Sequence, residues 1–432
     1  MGQLAGGNNR DEAPTTPLTR LSIHPKHNHV ILCAIGLKNP IDIAALKDEL
    51  SNSIMIKIPR FSSLLTVDPH HGTEHWKKTH VNLDDHIFIQ HDDDDDDDDG
   101  GDAINCYLAN MAISSPMSLN KPLWEVHIMH QHKCLILKVH HAVADEQGPE
   151  ILWDGPVYIL FSAVFLFQFL AKCLWAKDKE TVISGIEGVE FWPRKVSTAS
   201  FSIADMKAIR NAIPNVTVND VLYGIIWCGL TRYLNIRLPK AVQDGVQITG
   251  ICPVNLREKS GVQDVSTMLL EKSKAPWGNK IGVVLLPITY FQQELNALDY
   301  VAQAKEVMDR KKHSTVALLC YNMANLVSNL FGSKIGGDCL YKLSCNTTFF
   351  LSNIVGPQEE ISIATNPVTF IRVTSSSQPH AITMHMASYA GKGYLQIQVA
   401  KEVIPDPEFL ARCFEDAFLE MKKDANNCVR CH

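Results

Sequence analysis

The sequence predicts a mixed α/β (α+β) protein in which strands and helices interleave through both halves. Short runs rich in β-branched residues alternate with stretches of helical periodicity along the whole chain, and the alternation recurs on both sides of an apolar stretch at residues 156–175. With 432 residues the chain can hold two domains of ordinary size. The division that follows places one domain over residues 1–197 and the second over 198–432.

Residues 29–37 form an apolar, β-branched run that reads as a strand. Helical periodicity through Ile43, Leu46, Leu50 and Ile54 covers residues 41–54, and Pro59-Arg60-Phe61 ends it. Residues 81–90 read as a second short strand. Residues 92–99 are consecutive aspartates. Like charges at that density repel and stay solvated, whereas a calcium loop needs ligands at turn-defined spacings around a glycine, so the run is read as a solvated loop. Residues 103–114 form a helix with Ile104, Leu108, Met111 and Ala112 on one side. Two strand-like runs, 124–129 and 134–140, flank the short polar link 130–133 and read as a β-hairpin. His140-His141 therefore sits at the end of a buried strand.

Residues 156–175 are the most apolar stretch, long enough as a helix to span about 30 Å, and apolar on all sides rather than along a stripe. The expectation is a membrane-inserted or membrane-lying helix, with Lys172, Trp175 and Lys177 at the interface. Beyond it, residues 185–202 read as a linker and a strand, and 202–211 as a helix with Ser202 as N-cap and Asp205 at the third helical position. A helix runs from 216 to about 234. Strands follow at 248–256 and 280–286, and a helix at 298–312 carries basic residues at its C-terminus, where the helix dipole favours them. Residues 347–352, 368–373, 381–389 and 394–400 alternate like strands, and an amphipathic helix closes the chain at 407–423. Residues 313–346 receive no element.

The formal net charge is −7, and the aspartate run carries eight of the negative charges, so the rest of the chain is nearly neutral. No basic field for nucleic acid is present. Cys33, Cys134, Cys228, Cys252 and Cys320 stand alone in apolar segments, where a free thiol packs as a small hydrophobe. The first 20 residues are polar and lack the apolar core of a secretory signal. A reducing, cytosol-facing environment is expected.

His140-His141-Ala142-Val143-Ala144-Asp145 offers a candidate base and a carboxylate within one turn. Neutral imidazole takes up a proton near pH 7, which suits deprotonation of an alcohol during acyl transfer; direct attack on a thioester then needs no protein nucleophile and no metal. Two ordinary histidines at a strand end are the bland alternative. The carboxylate four positions on, able to fix the turn through an ion pair, favours the chemical one.

The segment is similar to the HHxxxDG signature of the coenzyme-A-dependent acyltransferase superfamily. More narrowly, the chain resembles the plant wax ester synthase/diacylglycerol acyltransferase family. In the first half the resemblance is carried by Pro59-Arg60-Phe61-Ser62-Ser63 and Pro122-Leu123-Trp124; in the second by Asn219-Asp220-Val221-Leu222, Pro253-Val254-Asn255-Leu256-Arg257, Trp277-Gly278-Asn279, Ser352-Asn353-Ile354-Val355-Gly356-Pro357 and Ile404-Pro405-Asp406-Pro407. It implies two chloramphenicol-acetyltransferase-like domains, each a mixed sheet flanked by helices, with a tunnel between them. Acyl-CoA would enter as co-substrate on one side, and a fatty alcohol or diacylglycerol on the other, with no cofactor and no metal. His141 would be the catalytic base, with His140 and Asp145 supporting the loop. Asn219, Ser352 and Asn353 admit readings as tunnel-lining or oxyanion-facing groups, and equally as local caps or turns. Arg257 is a candidate partner for Asp145 across the domain interface. Membrane lipid is an expected neighbour and the cytosolic side of the endoplasmic reticulum membrane the expected location, with the plasma membrane as alternative. No obligate protein partner is evident.

The chain departs from the signature at Glu146, where the family has glycine, and Gly148-Pro149 discourages the helix that follows it there. This departure keeps open a catalytically impaired, membrane-bound lipid-binding homologue, and the superfamily resemblance also admits a soluble acyltransferase acting on phenolic or alkaloid alcohols. The apolar stretch and the family-like second half oppose the latter. Cys428-Val429-Arg430-Cys431-His432 matches the haem-attachment pattern but ends the sequence, and is read as a tail. His70, His71 and His75 lie in a polar loop without a clear fourth metal ligand.

Overall fold

The computed structural model describes residues 12–15, 20, 22–23, 28–67, 74–90, 102–113, 117–143, 156–237, 239, 242–256, 281–312 and 316–430. The aspartate run, Asp145, Glu146, Arg257, Trp277-Gly278-Asn279 and the Cys431-His432 end lie outside them.

The first half begins with β1 (Glu12–Pro14) and β2 (Val30–Leu37), followed by helix α1 (Ile43–Asn52). Asp42 caps α1, its carboxylate accepting from the Ala44 and Ala45 amides at 2.9 and 3.0 Å. The expected helix over 41–54 breaks at Ser53, and a separate turn, Ile54–Lys57, follows. Next come β3 (Ser63–Val67), β4 (Glu74–Lys78) and β5 (Ile87–Gln90). Helix α2 (Ala103–Ala112), capped by Asp102, buries Ile104, Leu108 and Ala112 along one face. The hairpin expected at 124–140 is present as β6 (Trp124–Met129) and β7 (Cys134–His140), with Met129 opposite Cys134.

Helix α3 (Pro156–Leu174) leads into β8 (Arg194–Ser202), α4 (Ile203–Ala212) and α5 (Val218–Arg237). The Ser202 hydroxyl accepts from the Asp205 amide at 3.2 Å, as the sequence predicts. Strands β9 (Gln247–Asn255) and β10 (Ile281–Thr289) precede α6 (Ala297–Lys312), α7 (Val316–Phe331) and α8 (Ser333–Cys345). The last two fill the unassigned stretch. Then follow β11 (Phe349–Val355), β12 (Ser362–Ile363), β13 (Asn366–Ser375), β14 (Ile382–Tyr389), β15 (Lys392–Ala400) and α9 (Pro407–Arg430).

Two six-stranded mixed sheets organise these elements. The first has the order β12-β13-β2-β7-β6-β5, with β5 and β6 parallel; the second runs β10-β9-β11-β14-β15-β8, with β11 parallel to both neighbours. β1, β4 and β3 form a small separate sheet. One face of the second sheet packs on α4, α5, α6 and α9, and this core includes fully buried Tyr300, Phe349 and Phe414. The first sheet has its own core around Leu32, Leu108, Trp124 and Ile136.

The halves share strands. β13 comes from the second half of the chain but pairs antiparallel with β2 in the first sheet. Gly36 permits this: a Cβ there would lie 2.1 Å from the Phe370 ring of β13, so only a bare backbone lets that ring cross β2.

The apolar helix does not have the character of a membrane-crossing one, and Lys172 is not placed as expected. Among the described residues no helix is long and apolar enough to cross a membrane. Ala171 and Cys173 of α3 are buried, and Phe169 packs beside Ile251, Leu285 and Leu343 of the second half. Lys172 does not reach for an interface. It pairs with Asp178 at 2.5 Å and donates to the Asn346 carbonyl at 3.2 Å.

Candidate active site

His140 ends β7, a strand held on both sides by β2 and β6. Val30 of β2 stands opposite His140, and the Leu123 carbonyl accepts its amide at 3.0 Å. The pairing continues one step past the strand, where the His141 amide donates to the His29 carbonyl at 2.8 Å. The Val143 amide then closes a turn on the His140 carbonyl at 2.9 Å. Arg60, itself buried, donates to the Ala142 carbonyl at 3.2 Å, and the Trp124 indole N–H donates to the Phe61 carbonyl at 2.9 Å. The segments 59–63 and 122–124 thus buttress the histidine turn and each other.

The two histidines are placed differently. His140 is buried, and its Nδ1 accepts from the Ala142 amide at 3.1 Å. Burial first, and the neighbouring His141 second, lower its pKa to about 4. It is a neutral part of the turn. His141 is partly exposed. Its ring centroid lies 5.0 Å from that of His29 at an interplanar angle of 55°, and His29 in turn accepts at Nδ1 from the Gln378 side-chain amide at 2.5 Å.

Behind this turn the second sheet presents a polar face to the first half. Thr383 and His385 of β14 register with Gln398 and Gln396 of β15, and Gln396 with Thr198 of β8. Asn105 of α2 donates to Thr198 at 3.2 Å, and Thr374 of β13 donates to Gln398 at 3.0 Å. Burial pushes His385 down to about 4; burial and Arg194 push nearby His380 down to about 3. The histidines of this seam are therefore neutral. Thr383 Oγ1, His385 Nδ1 and Gln396 Oε1 are buried without hydrogen-bond partners among the described residues, which leaves unused polar capacity on this face of the second sheet.

Of the other residues singled out from the sequence, Asn219 and Asn353 are brought together, the Asn353 amide donating to Asn219 at 2.7 Å on an exposed surface. Ser352 points to the opposite face of β11, in register with His385. Among the described residues no hydrogen bond links these three to His141. Asp145 and Arg257 fall outside the described residues. The sequence reading did not single out His29, Gln378 or the side chain of Arg60. Arg60 lay inside a quoted motif; His29 and Gln378 are far apart in the chain, and only β13's entry into the first sheet joins them.

This fold, two mixed sheets with an exchanged strand, is similar to those of solved acyltransferases. A wax ester synthase/diacylglycerol acyltransferase from Marinobacter aquaeolei VT8 matches with a TM-score of 0.58, covering 96% of this chain and 100% of that one at 16% identity. A trichothecene 15-O-acetyltransferase from Fusarium sporotrichioides gives 0.61 over 95% of each chain at 10% identity. Residues 277–422 match the WS/DGAT C-terminal domain. Wax ester synthase/diacylglycerol acyltransferase 10 of Arabidopsis thaliana is 31% identical over 95% of this chain and 97% of its own length. The chain belongs to the wax ester synthase/diacylglycerol acyltransferase family.

Proposed function

We propose that this chain transfers a fatty acyl group from acyl-CoA to a long-chain alcohol, to diacylglycerol, or to both, with His141 as general base. The supporting observation is the histidine turn: His141 is partly exposed while its backbone is fixed by the His29 carbonyl and its turn by Arg60. The imidazole takes the proton of the acceptor hydroxyl as the oxygen attacks the thioester carbonyl. The carbon–sulfur bond then breaks, and the proton passes to the departing thiolate, leaving an ester and free coenzyme A. His140 remains neutral and holds the turn.

The reading includes work at the cytosolic face of the endoplasmic reticulum membrane, where both acceptors partition. Supporting it, α3, α7 and α8 pack on one another and carry exposed apolar side chains, with Phe167, Leu330 and Phe331 each more than 60% accessible.

Expression in cells lacking neutral-lipid synthesis, followed by lipid analysis, tests the chemistry. The natural sequence should yield wax ester or triacylglycerol, and His141→Ala should lower it by roughly 10²-fold or more. Background lipid from both would instead favour the impaired, lipid-binding homologue that Glu146 suggests.

A further inference from the structure

The histidine turn borrows part of its support from the far end of the chain. We propose that His29 is a positioning residue for His141 and that Gln378, reaching over from the strap that follows β13, sets which nitrogen of His29 carries the proton. This rests on His141 as the base. His29 meets His141 twice: its carbonyl accepts the His141 amide at 2.8 Å, and its ring lies obliquely against the His141 ring at 5.0 Å. The Gln378 amide nitrogen can only donate, so at 2.5 Å from Nδ1 it requires that nitrogen to accept, and neutral His29 then carries its proton on Nε2.

The backbone on either side of His29 is clamped by the same strap. The Val30 amide donates to the Ser376 hydroxyl at 3.0 Å, the Ser376 amide donates to the Val30 carbonyl at 2.7 Å, and the Ser376 hydroxyl donates to the Asn28 carbonyl at 3.2 Å. The strap is anchored in turn. The Ser377 hydroxyl donates to the Ala112 carbonyl of α2 at 3.0 Å, and the Gln398 amide of β15 donates to Ser377 at 3.2 Å. A ring fixed in position, tautomer and backbone on one side of an otherwise partly exposed imidazole restricts its rotation, and holding a base in register with its proton is a principal route to rate. β2 and β7 would pair without a side chain at residue 29, so the sheet alone does not call for an imidazole there.

Gln378→Glu keeps the shape but places an acceptor opposite His29 Nδ1, forcing the proton to that nitrogen; Gln378→Met removes the bond. His29→Asn keeps a polar group without the ring. In the full-length protein, nitrogen spectra of the labelled histidine rings should show His29 switching to the Nδ1–H form in Gln378→Glu, with the His141 signals displaced. With acyl-CoA and fatty alcohol, kcat should fall about tenfold or more in Gln378→Glu and His29→Asn at unchanged KM for acyl-CoA and unchanged melting temperature. A merely structural role predicts equal loss in all variants through melting temperature, and that result overturns the proposal. Unchanged His141 signals overturn it also when the natural sequence makes no ester, the outcome that by itself counts against the acyl-transfer reading.

Discussion

Arg60 shows what a single side chain contributes to the site. Its guanidinium is buried, stands 5.7 Å from the Trp76 ring centre, and donates to the carbonyl of Ala142, one residue past the proposed base. Arg60→Met keeps much of the bulk but strands that carbonyl, at a cost of about 1–3 kcal/mol. Its melting temperature should drop by several degrees and ester formation should fall further than stability explains; a variant as active as the parent would show that the turn stands without it. The buried histidines give a pH prediction. His140, His380 and His385 have folded-state pKa values of about 4, 3 and 4 against an ordinary 6.5. Above 6.5 neither folded nor unfolded chain holds these protons. Below it the unfolded chain takes them up and the folded one does not, so stability falls as pH drops from 6.5 towards 4, by about 1.4 kcal/mol per pH unit for each histidine. Urea midpoints measured between pH 7 and 5 should fall steeply, and His385→Gln should flatten the slope; a midpoint constant with pH contradicts the neutral burial. Both His140 and His141 were legible in the sequence because chemistry and motif coincide there. Their different burial was not, since it depends on how the turn after β7 is folded back.

Between residues and sheets, the knot at the end of α3 decides how that helix is attached. Asp178 accepts from Lys172 at 2.5 Å, from the Thr249 amide and hydroxyl at 2.7 and 2.8 Å, and from the Thr348 hydroxyl at 2.7 Å; the Asn346 amide returns to the Lys172 carbonyl at 2.7 Å. Asp178→Ala leaves a half-buried lysine without its counter-charge, a loss on the order of 3–5 kcal/mol. Limited proteolysis should then cut near residues 164–177 well before the rest of the chain opens; an unchanged cleavage pattern would show that packing alone holds α3. The outer surface of the same layer is tested separately: the triple variant Phe167→Ser, Leu330→Ser, Phe331→Ser should retain its fold and lose flotation with phosphatidylcholine vesicles. Undiminished flotation would remove these helices from the membrane reading. The hairpin β6–β7 was legible because two alternating runs flank a short polar link. α7 and α8 carried no sequence expectation; the run Val-Ala-Leu-Leu-Cys is apolar, but Gly336 and Gly337, which follow it, weaken the local helical signal. In the protein α8 carries both glycines inside a helix that packs on α7 and α3.

At the scale of the molecule, the interleaving of strands and helices was enough to give the mixed α/β class, but not the exchange of β13. Pairing partners that distant leave no local pattern, and a strand's own alternation says only which face is buried. The exchange makes the first sheet incomplete without the second half, so residues 1–193, a cut that leaves β8 whole, should aggregate when expressed alone and regain solubility on co-expression with 194–432. Gly36→Leu should mimic that defect in the intact chain by displacing Phe370. Soluble, folded 1–193 would show that β2 tolerates an open edge. The strap that closes the first sheet bonds Val30 through Ser376, 346 positions later. At ribosomal speeds of about 5–20 residues per second, that interval is roughly 20–70 s. Through that time the nascent chain offers β2 as an unmated edge, the kind of surface that a chaperone covers until the pairing strand arrives.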